Sequence, residues 1–160
     1  MGKQLLPAAL CLLAACAVLP QKREVPPLAR SGWFQLTQYR GAETAVQSLL
    51  AVEPGAEGVR FVQTDALGVP QTRQIFGRRG WRNDGFVMPD AGARRLFTAL
   101  LPLLAADGAA VFPQWRRQAD GAAACYYDGA VLLWCSRPAD GGWRIDAGDG
   151  VGWLVRPLEE

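Results

Sequence analysis

The hydrophobic period of this chain changes twice, and that change limits the folds open to it. From Gly32 to Tyr39 apolar residues alternate at Phe34 and Leu36, which is the period of a strand. Ala45 to Val52, Val59 to Thr64 and Pro70 to Phe76 repeat the pattern, with Pro54-Gly55 and Gly58 marking a turn. Trp81 to Met88 is read as a fifth strand with a hairpin at Asn83-Asp84-Gly85. Then Ala93, Leu96, Phe97, Leu100, Leu101 and Leu104 fall on one face of a helix over 90–106. Asp90 suits its N-cap and Asp107-Gly108 its end. Pro102 lacks an N–H and predicts a kink or break near Thr98. After Val111 strands resume at Ala122–Tyr127, Ala130–Ser136, Trp143–Asp146 and Gly152–Arg156, with Asp128-Gly129 as a type I′ hairpin signal. Both faces of the 130–136 run are apolar, so that strand is expected to be covered on both sides. A lone amphipathic helix among antiparallel strands needs a sheet to cover, and the expected fold class is α+β.

Composition narrows the chemistry. Half of the residues are apolar, which favours a packed core over disorder. The net charge of +2 gives no electrostatic footprint for nucleic acid. There is no histidine, and serine occurs only at Ser31, Ser48 and Ser136. Ser-His-Asp and Cys-His hydrolysis both need an imidazole base, and histidine-based zinc sites need an imidazole ligand, so all three are excluded. The acids are dispersed, without a spacing suited to paired general acid–base work. The expectation is a protein that is not an enzyme, with no cofactor and no metal. After Lys22 every basic residue is an arginine. That suits bidentate contact with carboxylate or phosphate, and it equally suits codon bias.

The N-terminus has the layout of a secretory signal: one charge at Lys3, an apolar run from Leu5, and small residues before Cys16. About 15 apolar residues at 1.5 Å rise span roughly 22 Å, short of the roughly 30 Å hydrocarbon core. Residues 17–30 hold Pro20, Pro26 and Pro27, scattered charges and no apolar period, the composition of a tether. The division is therefore 1–15 signal peptide, 16–30 lipidated cysteine and tether, and 31–160 folded domain.

Cys125 and Cys135 are the thiols left once Cys16 and the leader are set aside. An oxidising compartment favours pairing them. A strict two-residue Asp128-Gly129 turn opposes it, because the two sulfurs would then point to opposite faces. A longer loop or a bulge would restore the bridge.

The segment Leu13-Ala14-Ala15-Cys16 resembles the bacterial lipobox. The resemblance implies cleavage before Cys16, a thioether-linked diacylglyceryl group and N-acylation. Ala17 rather than Asp after the cysteine implies sorting to the outer membrane, facing the periplasm. The stretch from Gly32 to Phe76 is similar to the first half of the LolB family of outer-membrane lipoprotein receptors. The shared features are Gly32-Trp33-Phe34, an apolar strand, and a strand ending in Thr64-x-x-Leu67-Gly68. The whole chain also looks like the short lipoproteins of the DUF3261 family. The implied fold is a curved antiparallel sheet forming an open half-barrel, with the helix plugging its mouth and an apolar cavity inside. The implied role for Leu67 is contact with the membrane during handover of cargo. The implied partners are an acyl lipid or lipoprotein ligand and a LolA-like periplasmic carrier, for a monomer held at the membrane by its lipid.

Trp33, Phe61, Phe76, Trp81, Leu96, Phe97, Leu100 and Trp134 are the candidate lining of such a cavity, each also a candidate for plain core packing. Arg73, Arg78, Arg79 and Arg82 cluster near a glycine-rich turn, either as a solvated face or as a contact for lipid phosphate. The leading expectation is an outer-membrane lipoprotein that binds acyl chains and takes part in their transfer or insertion. The alternative is a structural or inhibitor-type envelope lipoprotein that binds a protein partner.

Overall fold

The computed structural model describes residues 25–41, 45–107 and 109–158. The leader, Cys16 and the segment through residue 24 lie outside the described residues, as does Gly108 at the expected helix end.

Among the described residues ten strands form one antiparallel sheet. They are β1 Gly32–Arg40, β2 Val46–Gly55, β3 Gly58–Thr64, β4 Pro70–Gly77, β5 Gly80–Asn83, β6 Arg116–Asp120, β7 Ala123–Asp128, β8 Val131–Ala139, β9 Gly142–Ala147 and β10 Val151–Pro157. Their spatial order is β5-β4-β3-β2-β1-β10-β9-β8-β7-β6. Two five-stranded meanders are thus joined where β1 pairs with β10, Phe34 opposite Pro157 and Arg40 opposite Val151. The sheet stays open, with β5 and β6 at its edges. Helix α1, Ala91–Leu104, lies on the connection between those two edge strands.

This corrects the expected α+β half-barrel with a helix in its mouth. The single helix among the described residues, 14 residues long, is a minor part of a β fold. It does not stopper an opening: Leu96, Phe97, Ala99, Leu100, Leu101 and Leu104 are buried in the common core with Phe34, Leu36, Leu50, Val52, Phe61 and Phe76 from one meander and Trp134, Ile145, Trp153 and Val155 from the other. The helix supplies the apolar stripe that one face of the sheet needs in order to leave water. Asp90 caps it as expected, its side chain accepting from the Ala93 N–H at 2.7 Å. Pro102 does not break it. The proline sits in the last turn, and the helix runs on to Leu104.

Four local readings also change. The Asn83-Asp84-Gly85 hairpin does not form: β5 ends at Asn83, and the turn before it is Arg78-Arg79, closed by Gly77 opposite Gly80. Strand β6 was not anticipated, since all five of its residues are exposed and carry no apolar alternation. Its charged sequence, Arg-Arg-Gln-Ala-Asp, suits an edge strand that must not recruit another chain. Strand β8 is covered on one face only; Val131 and Leu132 are exposed. Lastly, residues 25–30 belong to the folded unit rather than to a tether. Leu28 bridges Ala105, the Ala29 N–H donates to the Leu104 carbonyl at 2.8 Å, and Ala106 N–H donates to the Pro27 carbonyl at 2.8 Å. The Ala29 bond satisfies the Leu104 carbonyl, which the helix C-terminus would otherwise leave open.

Cys125 and Cys135 are joined by a disulfide, their Cα atoms 4.0 Å apart. The turn between β7 and β8 uses Gly129-Ala130, and the register shifts between Tyr126 and Tyr127. Gly129, at φ +57, takes the first central position as a type II′ turn asks. The resulting bulge sets Cys125 directly opposite Cys135.

Candidate functional site

The eight residues expected to line a cavity are mostly brought together, but as packed core. Phe61 stacks on Phe97 with ring centroids 4.9 Å apart, and Trp81 contacts Phe61 at 5.4 Å and Phe76 at 5.1 Å. Leu96 and Leu100 are fully enclosed beside them. Phe112, on the connection after α1, touches Phe76 at 6.0 Å and Trp134 at 6.3 Å. One side chain therefore joins the two meanders, which requires the sheet to curve around the helix. Trp134 stacks on Tyr126 at 4.7 Å and meets Trp115 at 5.5 Å. The spaces between these rings are filled by one another. Trp33 stands apart from them; it is 48% exposed and lies one residue from Phe34, so it faces the other side of the sheet. Phe112, Trp115 and Tyr126 were not singled out in the sequence, because Phe112 and Trp115 lie in a connection without a period.

Unpartnered apolar surface collects elsewhere. Antiparallel pairing puts the start of β2, the β3–β4 turn, the end of β5, the start of α1, the β7–β8 turn and the β9–β10 turn at one end of the sheet. Val46, Leu67, Val69, Phe86, Met88, Val131 and Leu132 are all exposed, and all lie at this end. Of the large apolar residues exposed among the described residues, only Trp33 and Leu158 lie at the opposite end, where Val25 also sits.

Leu67 is 89% exposed, and its turn is built to hold it there. The Asp65 carboxylate accepts from the N–H groups of Leu67 and Val69, both at 2.9 Å. Asp65 N–H donates to the Val69 carbonyl at 3.0 Å, and Gly68 adopts φ +83. This is an Asx-type turn closed at both ends, so an apolar side chain is presented to water on a fixed base.

Between α1 and β8 this end opens into a groove of about 780 Å³. It is lined by Ala91, Arg94, Arg95, Thr98, Trp115, Val131, Leu132, Leu133, Trp134, Gly148 and Asp149. Arg95 pairs with Asp149, linking the helix to the β9–β10 turn beside it. That hydrogen bond is the main cause holding the Asp149 carboxyl below its ordinary range. Arg94 is directed instead to Gln74, whose Oε1 accepts at 2.9 Å; Gln74 itself is fully buried and donates to Thr72 and to the Asp90 carbonyl. Gln74 thus fixes the start of the helix to β4. Trp134 is 2% exposed, and its Nε1–H finds no acceptor among the described residues. A buried indole N–H without a partner is uncommon.

The opposite end holds the arginine-rich turn. Arg82 pairs with Glu57, while Arg73 and Arg60 both reach Asp84 on the face of the sheet. Arg78 and Arg79 form no ion pair among the described residues. The described residues contain no cluster of three metal-ligating side chains, and no helix among them is long and apolar enough to cross a membrane.

Comparison of this chain with protein families, with curated proteins and with solved structures finds no match in any of the three.

Proposed function

We propose that this chain is a lipid-anchored envelope protein that binds acyl chains of a lipid or lipidated protein and takes part in their transfer or insertion at the membrane. The observation that carries this reading is the concentration of exposed apolar side chains at one end of the sheet, two of which, Val131 and Leu132, line a groove with an apolar wall. Single apolar residues scattered over a surface need no explanation; a concentration of them at one end, with a groove among them, indicates a ligand or a surface. The acyl chain would lie along Val131, Leu132 and Leu133 beside α1, not in the interior, which side chains occupy. Leu67 would make contact with the acceptor membrane. Lipidation of Cys16, outer-membrane sorting and a carrier of the LolA type belong to the same proposal.

The test is to purify the domain from the periplasm without its anchor and search for co-purified acyl lipid by mass spectrometry, then titrate it with a fluorescent fatty acid. Bound lipid that Leu132→Glu removes is the expected result. Leu67→Glu should leave both folding and acyl binding intact while abolishing delivery to vesicles. A domain that is empty and ignores the probe sinks the reading.

The filled interior also gives ground for a second reading, an envelope lipoprotein whose apolar end grips a protein partner. It predicts a stoichiometric protein complex that survives delipidation and is lost in the same Leu132 variant.

A further inference from the structure

The end of the sheet opposite Leu67 has its own character. The β4–β5 turn sets Arg78 and Arg79 side by side at its tip, and both are exposed or nearly so. Gly80 follows at φ +89, a conformation that other residues resist, so the turn has a fixed course. Gly58 and Gly77 let the neighbouring β2–β3 turn come close: a Cβ on Gly77 would stand 2.6 Å from the Glu57 carbonyl oxygen. The two turns and Val25 border an open concavity of about 930 Å³. Glu57 is its acid, and it is already engaged by Arg82. The concavity therefore offers two guanidinium groups whose charge nothing among the described residues offsets.

The path of the chain says what this end faces. Val25 lines the concavity, and only nine residue steps separate it from Cys16. At 3.3–3.6 Å per residue those steps reach at most about 32 Å. Lys22 and Arg23 stand in that span against a single acid, Glu24. A chain anchored at Cys16 thus brings its Val25 end to the bilayer first, with basic residues leading.

We infer that Arg78 and Arg79 form a docking surface for the phosphate groups of anionic phospholipids in the membrane that holds the anchor. The guanidinium plane matches phosphate oxygens two at a time, which an ammonium does not. The inference rests on lipidation of Cys16 and is independent of acyl binding at the other end. Docked in this way, the sheet stands with its Leu67 end directed away from the bilayer.

The experiment uses the full chain, extracted with its anchor and reconstituted in vesicles of phosphatidylethanolamine with about one third phosphatidylglycerol, or of phosphatidylcholine alone. Hydrogen exchange read by mass spectrometry then reports which end is covered. Protection over residues 76–82 is expected in the anionic vesicles, absent in the zwitterionic ones and released by salt at about 0.5 M. Arg78→Gln with Arg79→Gln should lower the docked-to-free ratio about thirtyfold, near fivefold for each arginine, with unchanged far-ultraviolet circular dichroism. Lysine at both positions should restore part of the effect. Protection at residues 65–69 and 84–88 in place of 76–82 overturns the inference. Protection that persists in the double glutamine variant overturns it too, and so does a chain that leaves the membrane without acyl groups.

Discussion

Phe97→Ala separates a filled interior from a ligand cavity. The Phe97 ring is wholly buried, stacked on Phe61 at 4.9 Å and 6.2 Å from Trp81. It projects from the middle of α1 onto strands whose ladders hold them in place, so the site cannot collapse around a smaller side chain. In such a site Phe→Ala costs about 3–5 kcal/mol, the sum of lost transfer energy and an unfilled void. Were the ring facing an open cavity, only its transfer share would be lost, about 1.5–3 kcal/mol. Urea unfolding followed by tryptophan fluorescence resolves the two. With a slope of about 2 kcal/mol per molar, a 4 kcal/mol loss lowers the midpoint by about 2 M. The void created should also take up benzene, raising the midpoint of the variant and not that of the parent protein. A loss below about 2 kcal/mol, or a parent protein stabilised by benzene as much as the variant, would refute the packing described.

Replacing Cys125 and Cys135 by alanine opens a loop of sequence separation 10, and chain entropy sets the loss at about 2.5–3 kcal/mol; thermal unfolding with and without reductant should show the same difference. Gly58→Ala should be severe, about 3 kcal/mol or more, measured by the same urea titration. Gly58 adopts φ +138, and an added Cβ would lie 2.8 Å from the Gly77 Cα, so the β3–β4 ladder must open. Tyr39 is pushed up to about 12, first by burial and then by its hydrogen bond to Asp146 at 2.8 Å. The folded state holds this proton more tightly than the unfolded chain does. Its contribution is complete below about pH 10 and fades as pH rises toward 12, so Tyr39→Phe should flatten the alkaline limb of the stability profile.

Strand positions were legible wherever one face is buried and the other is wet. Strands β1 to β4, β9 and β10 carry that alternation, and their observed bounds fall within a few residues of the expected ones. The helix was legible for the same reason at a period of 3.6, down to its Asp90 cap. Strand β6 left no trace because an edge strand with both faces exposed has no apolar period to leave. The β7–β8 turn was misplaced because Asp-Gly suits type I′ only if Asp takes a positive φ, and Asp128 does not. The Asp-Gly pair that does so is Asp140-Gly141, at φ +47 and +77, joining β8 to β9. The candidate site was legible only in Leu67 and Trp134. That Phe86, Met88, Val131 and Leu132 share the Leu67 end of the sheet follows from the register of strands far apart in sequence, and no local pattern encodes it.

That register also alters how Leu67 is understood. Expected near the bilayer that holds the anchor, it lies at the end of the domain away from Val25. Strand β2, ten residues at about 3.3 Å, sets the distance between the ends at about 30 Å. The segment from Cys16 to Val25 reaches at most about 32 Å. With Arg78 and Arg79 on the lipid surface, Leu67 would stand about one domain length above it, on the side from which the proposed carrier would come. For Leu67 to touch the same bilayer, the arginines must let go and the segment must run nearly straight along the whole domain. An extended chain of nine steps forfeits most of its conformational freedom, so that posture is disfavoured unless something compensates. Insertion of Leu67, Phe86 and Met88 into lipid supplies compensation in kind, since each transfers a large exposed apolar side chain out of water. Under the proposed function, receiving at the free end and delivering at the anchored membrane would be two orientations of one domain, with the balance between them set by two arginines against three apolar side chains.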